Sequence, residues 1–532
     1  MPSIMVWIFI GYLLVLVAIG FISERYTKGL EGFVLGDRKM GAWLTALSYE
    51  STAYSGWLML GLPGKAFKYG LAAVWVCVSS VLGDALNWCL VSRRLREETI
   101  RLKALTVPEY LERRFPKPNG YAIQLAASLA MSAFMLIYLW AQFVASGKTI
   151  MSMLDWGYVP AVLVSGVVIM LYTFQGGYRA VVWTDALQAI MMVLALIILP
   201  VACFIHIGGW RELTTAIDLA AREAAAVPTL AVTSSHLGEW FAGLTGLALF
   251  AFLFEDIGMG VGFLGQPHIC VRFMGIKDSD GLRPAFIVSM LFAVLVCTGA
   301  VAVGLVAHGW YRYAEAPEMA QVSGVEGAAR HRIPVDLRTQ EQELVLPELT
   351  RRIMPTWLAG LVVSAIMAAI MSTASGFLLS VTSSMTEDVY HRLMRPEASQ
   401  KELVLVSRLV TVALGIGALI LALRTNPHDP KSTVYKLVLY GWGGLAGTFS
   451  APVTMALLSR RMTRAGCLAG IVVGASFMFV WRSIPVLSDT FDGTLPSIVA
   501  SGLAIVAVSC LTAPPLATPG GDICPMTLEQ QQ

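Results

Sequence analysis

The sequence predicts an all-α polytopic membrane protein of thirteen transmembrane helices, built as two inverted five-helix repeats that each open on a broken helix. Three observations predict it. Of the 532 residues 56% are hydrophobic and 14% charged, against roughly 25% charged in a soluble domain. Apolar runs recur along nearly the whole chain, and about 18 to 25 such residues span a bilayer as a helix. Two of these runs are interrupted by glycine and proline, where a simple anchor would keep its helical hydrogen bonds.

Taken in order, the spans fall near 4–22, 41–66, 70–91, 120–150, 158–175, 184–208, 238–270, 284–308, 357–388, 402–423, 434–458, 464–482 and 495–512. No basic residue precedes the first apolar stretch and no small-residue cleavage site follows it, so it reads as a retained span starting at Met1. An odd number of spans places the termini on opposite sides. Lys and Arg number 23 on one set of connections and 8 on the other, leaving aside the long segment 309–356 and Lys148, which lies inside a span. The positive-inside rule then puts the N-terminus outside and the C-terminus in the cytoplasm.

The first broken span carries Ser51-Thr-Ala-Tyr-Ser-Gly56 and then Gly61-Leu-Pro-Gly64; the second carries Gly258-Met-Gly-Val-Gly-Phe-Leu-Gly265-Gln-Pro267. Each begins a block of five spans, 41–208 and 238–458, flanked by a first span and loop at 1–40 and by two terminal helices and a tail at 459–532. Five is odd, so the second block is inverted relative to the first. Paired broken helices in inverted halves point to a transport site near the bilayer midplane. Glycines that merely let helices pack closely are the competing explanation.

A broken helix leaves carbonyl oxygens free for a hard monovalent cation. Ala369, Ser372 and Thr373 stand at i, i+3 and i+4 on one face of the span 357–388, so two hydroxyls and a carbonyl there, added to two carbonyls of the first break, would make a five-oxygen site. The two hydroxyls can equally bond back to their own helix. Intramembrane carboxylates are functional candidates by default, and these are Glu50, Asp84, Asp185, Glu255 and Asp256. Glu50 and the Glu255–Asp256 pair precede the two breaks. They read as proton carriers, as partners for a cationic solute, or as structural acids bonded to Arg38 or to open backbone. Tyr138, Trp140 and Gln142 sit mid-span and either line a cavity or pack.

Several classes are excluded. The net charge of +3 is too small, and too scattered between spans, for nucleic-acid binding. The eight cysteines form no CxxC pair and the seven histidines no metal-ligand spacing. No nucleophile elbow or phosphate loop supports an enzyme.

The stretches SGWLMLGLPG (55–64), ALTVPEYLERRF (104–115), GGYRAVVWTDALQA (176–189), GFLGQPHICVRFM (262–274), SAIMAAIMSTAS (364–375), TEDVYHRLMRPEASQKELV (386–404) and SRRMTRAGCLAGIVVGA (459–475) resemble the sodium:solute symporters, and among them their bacterial proline carriers. The likeness runs from the first span to about Pro514. It implies a LeuT-like inverted-repeat fold in a bacterial inner membrane, with sodium-driven uptake of a small solute by alternating access. It implies a sodium site on the backbone of Ser51 and Tyr54 and on Ala369, Ser372 and Thr373. Ser55, Gly56 and the adjoining Trp57 match positions beside the solute, Tyr138 matches a cavity tyrosine, and Asp185 matches an aspartate near the sodium path. Gln142, Gln266 and Pro267 complete the expected solute site. Departures are Ala53 where the proline carriers have an aspartate, Met259 and Phe263 in place of a tryptophan and a tyrosine, and the added Glu255 and Asp256.

The expectation is a symporter of sodium and an amino acid, proline or a relative, working in the lipid bilayer without a protein partner. Two alternatives stand beside it. One is a proton-coupled carrier using Glu50 or Glu255 and Asp256. The other is a transporter-like sensor, disfavoured by the tail of about twenty residues ending TLEQQQ.

Overall fold

The computed structural model describes residues 4–26, 29–115, 120–226, 235–312, 331–332, 342–429 and 433–512. Within these the chain is almost wholly helical, apart from a two-residue parallel ladder pairing Tyr311 with His331 and an isolated bridge between Met40 and Ile276. Among the described residues nine helices are long and apolar enough to cross a membrane. Large apolar side chains such as Trp7, Leu14, Leu194, Leu291 and Leu503 stand exposed on their outer faces. That surface would be costly in water and suits lipid. The expected tail beyond the last span, and most of 309–356, lie outside the described residues.

One helix is enclosed by the others. In Thr356–Met394, 94% of the most apolar window is buried, whereas no other candidate span exceeds 50%. Its regular part, Thr356–Ser384, packs against the helices Ile4–Glu24, Ala42–Ala53, Ala122–Leu154 and Tyr158–Ile207. Small residues make this possible, since Ala365, Ala368, Ala369, Ser372 and Ser375 are all buried against neighbours.

One expected boundary moves. Residues 176–183, read as a connection, hold a sharp kink at Gly177 (φ 55°, ψ −149°), where two helices meet within the helical stretch Tyr158–Ile207. Gly177 alone absorbs the bend because it tolerates a positive φ, and a Cβ there would meet the Phe33 carbonyl oxygen at 2.8 Å. The span read as beginning at 238 becomes helical only at Gly246, after a series of turns.

The expected breaks in the two interrupted spans are present. The helix Ala42–Ala53 ends at Tyr54 (φ −96°, ψ 87°), and the chain resumes through a π-turn, Trp57–Gly61, into the helix Leu62–Tyr69. The helix Gly246–Val261 gives way to Gly262–Gln266, and Pro267 opens the helix Pro267–Gly275, where its missing N–H costs nothing. Gly265 (φ 69°) turns this second break, in a space where a Cβ would lie 2.7 Å from that of Val453. The two interrupted elements are tied at their ends: Met40 donates to the Gly275 carbonyl at 3.2 Å and Lys277 to the Met40 carbonyl at 2.9 Å.

Glycine also sets how closely helices cross. A Cβ on Gly83 would collide with the Gly260 carbonyl oxygen, and one on Gly474 with that of Gly447, while Gly11 has nothing within 4 Å. Gly83→Ala and Gly474→Ala are therefore expected to destabilise by about 1–3 kcal/mol through overpacking. Thermal unfolding of the detergent-purified protein should show both midpoints lowered and that of Gly11→Ala unchanged or raised; equal midpoints for all three would contradict the crossings.

Candidate functional site

The first break and the enclosed helix face each other. Ser372 Oγ donates to the Ser51 carbonyl at 2.7 Å and lies 3.1 Å from the Ala369 carbonyl; Thr373 Oγ1 lies 3.0 Å from the Thr52 carbonyl, 3.2 Å from that of Ala369 and 3.4 Å from that of Ser51. Ser51, Ala369, Ser372 and Thr373 thus converge, all fully buried. The i, i+3, i+4 spacing delivers the three groups of the enclosed helix to one face, and the end of the helix Ala42–Ala53 presents the opposing carbonyls. These hydroxyls bond both to their own helix and across to the break. Their partner beyond Ser51 is Thr52, which sequence reasoning did not single out, whereas Tyr54 supplies the break in the backbone and a ring packed on Trp57, Phe263 and Phe292.

One helical turn further along lies a second group. Ser55 Oγ and Tyr138 Oη are 2.9 Å apart, Gln142 Oε1 accepts from the Gly56 N–H at 3.2 Å, and Gln142 Nε2 donates to Ser55 Oγ at 3.4 Å. Gln142 thereby satisfies a backbone donor that the break leaves open. A Cβ on Gly56 would lie 3.2 Å from that same Gln142 oxygen, so the close approach needs glycine. From the second break, Phe263 packs on Trp442 with centroids 4.8 Å apart, and Gln266 Nε2 donates to the Gly262 carbonyl at 2.8 Å and the Trp442 carbonyl at 3.4 Å. Met259 and Pro267 are buried beside them.

Sequence reasoning missed His268, Phe377 and Trp442. The His268 ring stands edge-on to Phe377 at 4.4 Å and to Trp442 at 5.9 Å, and Tyr138 stands edge-on to Phe377 at 4.5 Å. Trp442 lies among Gly441, Gly443 and Gly444 in the span 434–458, which stays helical through Val434–Leu458. In this cluster Tyr54 Oη, Trp57 Nε1, Gln266 Oε1, Trp442 Nε1 and both ring nitrogens of His268 are buried without a hydrogen-bond partner among the described residues. Unsatisfied buried polar atoms are costly, and their concentration at two helix breaks marks where a polar solute would find donors and acceptors.

The five candidate acids have separate environments. Asp185 Oδ2 accepts from Ser48 Oγ at 2.6 Å, Arg272 at 3.1 Å and Thr52 Oγ1 at 3.3 Å; both members of the Asp185–Arg272 pair are fully buried. Arg272 lies just past the expected end of the span 238–270, yet it reaches into the core, donating also to the His268 carbonyl at 2.7 Å. Glu50 accepts a hydrogen bond from Ser289 Oγ, and Asp84 is buried nearby. Glu255 lines a cavity of about 580 Å³ together with Lys65, whose Nζ is 3.3 Å from Glu255 Oε1 and 2.6 Å from Oδ1 of the buried Asp256. Arg38 bonds to none of these acids; it reaches Glu31 and the Ala104 carbonyl instead. Among the described residues no cluster of His, Cys, Asp and Glu is suited to a transition metal.

The profile of the sodium:solute symporter family matches residues 33–474. The sodium/proline symporter of Escherichia coli (strain K12) is 34% identical over 510 residues, covering 96% of this chain and 93% of that protein. The high-affinity proline transporter of Bacillus subtilis (strain 168) is 33% identical over 498 residues, covering 93% and 96% respectively. A Na+-coupled sialic acid symporter, solved in a substrate-bound outward-open state, shares the fold with a TM-score of 0.72 at 17% identity, over 96% of this chain and 98% of that one. Family and relatives alike are carriers, so the protein is an integral membrane transporter and not an enzyme. Matched along most of its length by the family profile and by relatives above 30% identity, this chain belongs to the sodium:solute symporter family.

Proposed function

We propose that this chain couples inward sodium flow to uptake of proline or a related small amino acid across a bacterial inner membrane, by alternating access. The observation that carries the reading is the meeting of the Ser372 and Thr373 hydroxyls with the Ser51 carbonyl at the first break. A hydroxyl oxygen has lone pairs for a cation once its proton turns away. Sodium would be held there by Ser51, Ala369, Ser372 and Thr373, with the carbonyl of Tyr54 as fifth ligand. The solute would lie beside it against Ser55, Gly56, Trp57, Tyr138, Gln142, Met259, Phe263, Gln266 and Pro267, with His268 and Trp442 added from the structure. Family membership favours sodium over protons as the coupling ion.

The architecture we infer has thirteen crossings, the N-terminus outside and the C-terminus in the cytoplasm, with inverted units at 41–208 and 238–458. In support, helical stretches of 45 residues (Trp57–Arg101) and 50 residues (Tyr158–Ile207) are too long for one crossing, and each turns at a glycine of positive φ, Gly70 and Gly177, since about 20 residues traverse the hydrocarbon core. A broken helix also opens each unit. Sodium on the first break would hold the two halves of that helix in one arrangement and give the states different affinities for solute. A membrane potential of 100 mV supplies about 2.3 kcal/mol per sodium ion.

Asp185 acts, in this reading, through Arg272, Ser48 and Thr52 to hold the half-helix that ends at the sodium site. Glu50, bonded to Ser289, precedes that site by one residue.

Two outcomes test this. Ser372→Ala combined with Thr373→Ala should abolish sodium stimulation of labelled-proline uptake into liposomes held at fixed potential; a correctly inserted double variant with full stimulation would sink the site. Asp185→Asn or Arg272→Gln alone should cost about 3–5 kcal/mol, because each strands a buried charge, and the two together should recover part of the loss. Additive losses in thermal unfolding would show that the two residues do not act as a pair.

A further inference from the structure

The molecule is open on one side of its two breaks and shut on the other. Lys65, which follows the first break, and Glu255, which precedes the second, line the cavity of about 580 Å³. Beyond the second break, Pro267 and Val271 face Thr106, Pro108 and Ser383 across a space of about 20 Å³, room for little more than one water molecule. Pro267 belongs to the expected solute site, so this seam starts there and runs between the helices Pro267–Gly275 and Val107–Arg113. The second of these helices lies in the connection 92–119, one of the basic set, which the positive-inside rule gives to the cytoplasm. For a carrier working inward the seam is then the closed exit.

The helix Val107–Arg113 is held at the seam by a carboxyl that neither the sodium site nor the solute site uses. Asp388 is fully buried just past the regular part of the enclosed helix. It accepts from four neutral donors: Thr106 Oγ1 at 2.7 Å, Gln124 Nε2 at 2.7 Å, Ser128 Oγ at 3.0 Å and Ser384 Oγ at 2.6 Å. Thr106 caps the helix Val107–Arg113, taking the Glu109 N–H at 3.1 Å, so its bond to Asp388 fixes that helix by the first turn. Glu109 adds a second tie, to Arg392. Gln124 and Ser128 bring in the helix Ala122–Leu154. The facing helix takes no part in this set. Among the described residues no hydrogen bond runs directly from Pro267–Gly275 to Val107–Arg113; Arg38 bridges the far end of the seam, from the Met274 carbonyl to that of Ala104.

We propose that Asp388 is a positioning residue for transport: it pins the helix Val107–Arg113 to the enclosed helix as the fixed wall of the exit. Pro267–Gly275 closes against that wall and withdraws from it. The assignment rests on transport by alternating access, and it names which wall stays still.

Ser383 lines the seam and is buried, so Ser383→Cys reports its opening; Thr490 is exposed on the open cavity, so Thr490→Cys reports the other side. Each reporter is placed singly in the full detergent-purified chain and reacted with a charged thiol reagent. The same chain without the added cysteine gives the background from native thiols. Asp388→Asn turns one acceptor oxygen into a donor. It should speed labelling at 383 by about tenfold, the order that one unmade buried hydrogen bond produces, and leave 490 unchanged. Thr106→Val, the gentler change, should do the same because it cuts the arm to Val107–Arg113. Ser384→Ala, which removes a donor on Asp388's own helix, should leave both rates as they were. The proposal is overturned if 383 stays protected in Asp388→Asn and Thr106→Val, or if Ser384→Ala speeds its labelling equally. It is overturned too if labelling at 490 falls as that at 383 rises, since the tie would then choose between states and not hold a wall. Labelling requires neither sodium nor solute. A chain that gave the expected rates without sodium-driven uptake would therefore lose the coupling reading and keep this one.

Discussion

Every break of a helix in an apolar surrounding frees backbone donors and acceptors that no water will satisfy, and this protein is organised around answering that cost at two places. At the first break the Ser51 and Thr52 carbonyls receive the hydroxyls of Ser372 and Thr373, and the Gly56 N–H finds Gln142. At the second, the Gly265 N–H finds Asn87 Oδ1 at 3.1 Å, and Gln266 bonds to the carbonyls of Gly262 and Trp442. The groups that satisfy the backbone are the same groups that could bind a cation or a polar solute. Structure and site are therefore one set of interactions, and the enclosed helix Thr356–Ser384 is central because it must reach the first break.

Charge is treated by the same logic. Asp185 and Arg272 are both fully buried, and such a pair persists only when further hydrogen bonds cover the remaining donors and acceptors. Ser48, Thr52 and the His268 carbonyl cover the guanidinium and Asp185 Oδ2, linking the helix Ala42–Ala53 to the second interrupted element and to the helix Tyr158–Ile207, while Asp185 Oδ1 has no hydrogen-bond partner among the described residues. The pair holds the half-helix that carries the Ser51 carbonyl. Lys65 plays a looser part on the other side of the breaks, at the wall of a cavity, where one of its two acid partners remains partly exposed.

Phe263 holds an aromatic contact with Trp442 at the second break. The bare nitrogens of His268 and Trp442 remain in the same cluster. Glu255 and Asp256 instead pair with Lys65.

The sequence by itself determined that this chain lives in a membrane, where its apolar runs lie, which two are interrupted, and that Ala369, Ser372 and Thr373 share a face. These are local properties: composition, hydropathy over a helix length, glycine and proline, and the i, i+3, i+4 repeat. The resemblance added the family. Tertiary structure alone decided which helix the hydroxyl face meets, that Arg272 leaves an apparent connection to pair with Asp185 some 87 positions away, and that Glu255 and Asp256 belong to Lys65. It also brought His268, Phe377 and Trp442 together. The physical reason is that a buried charge or hydroxyl is stable only with a partner, and in a bundle of long helices that partner is chosen by packing between segments far apart in the chain.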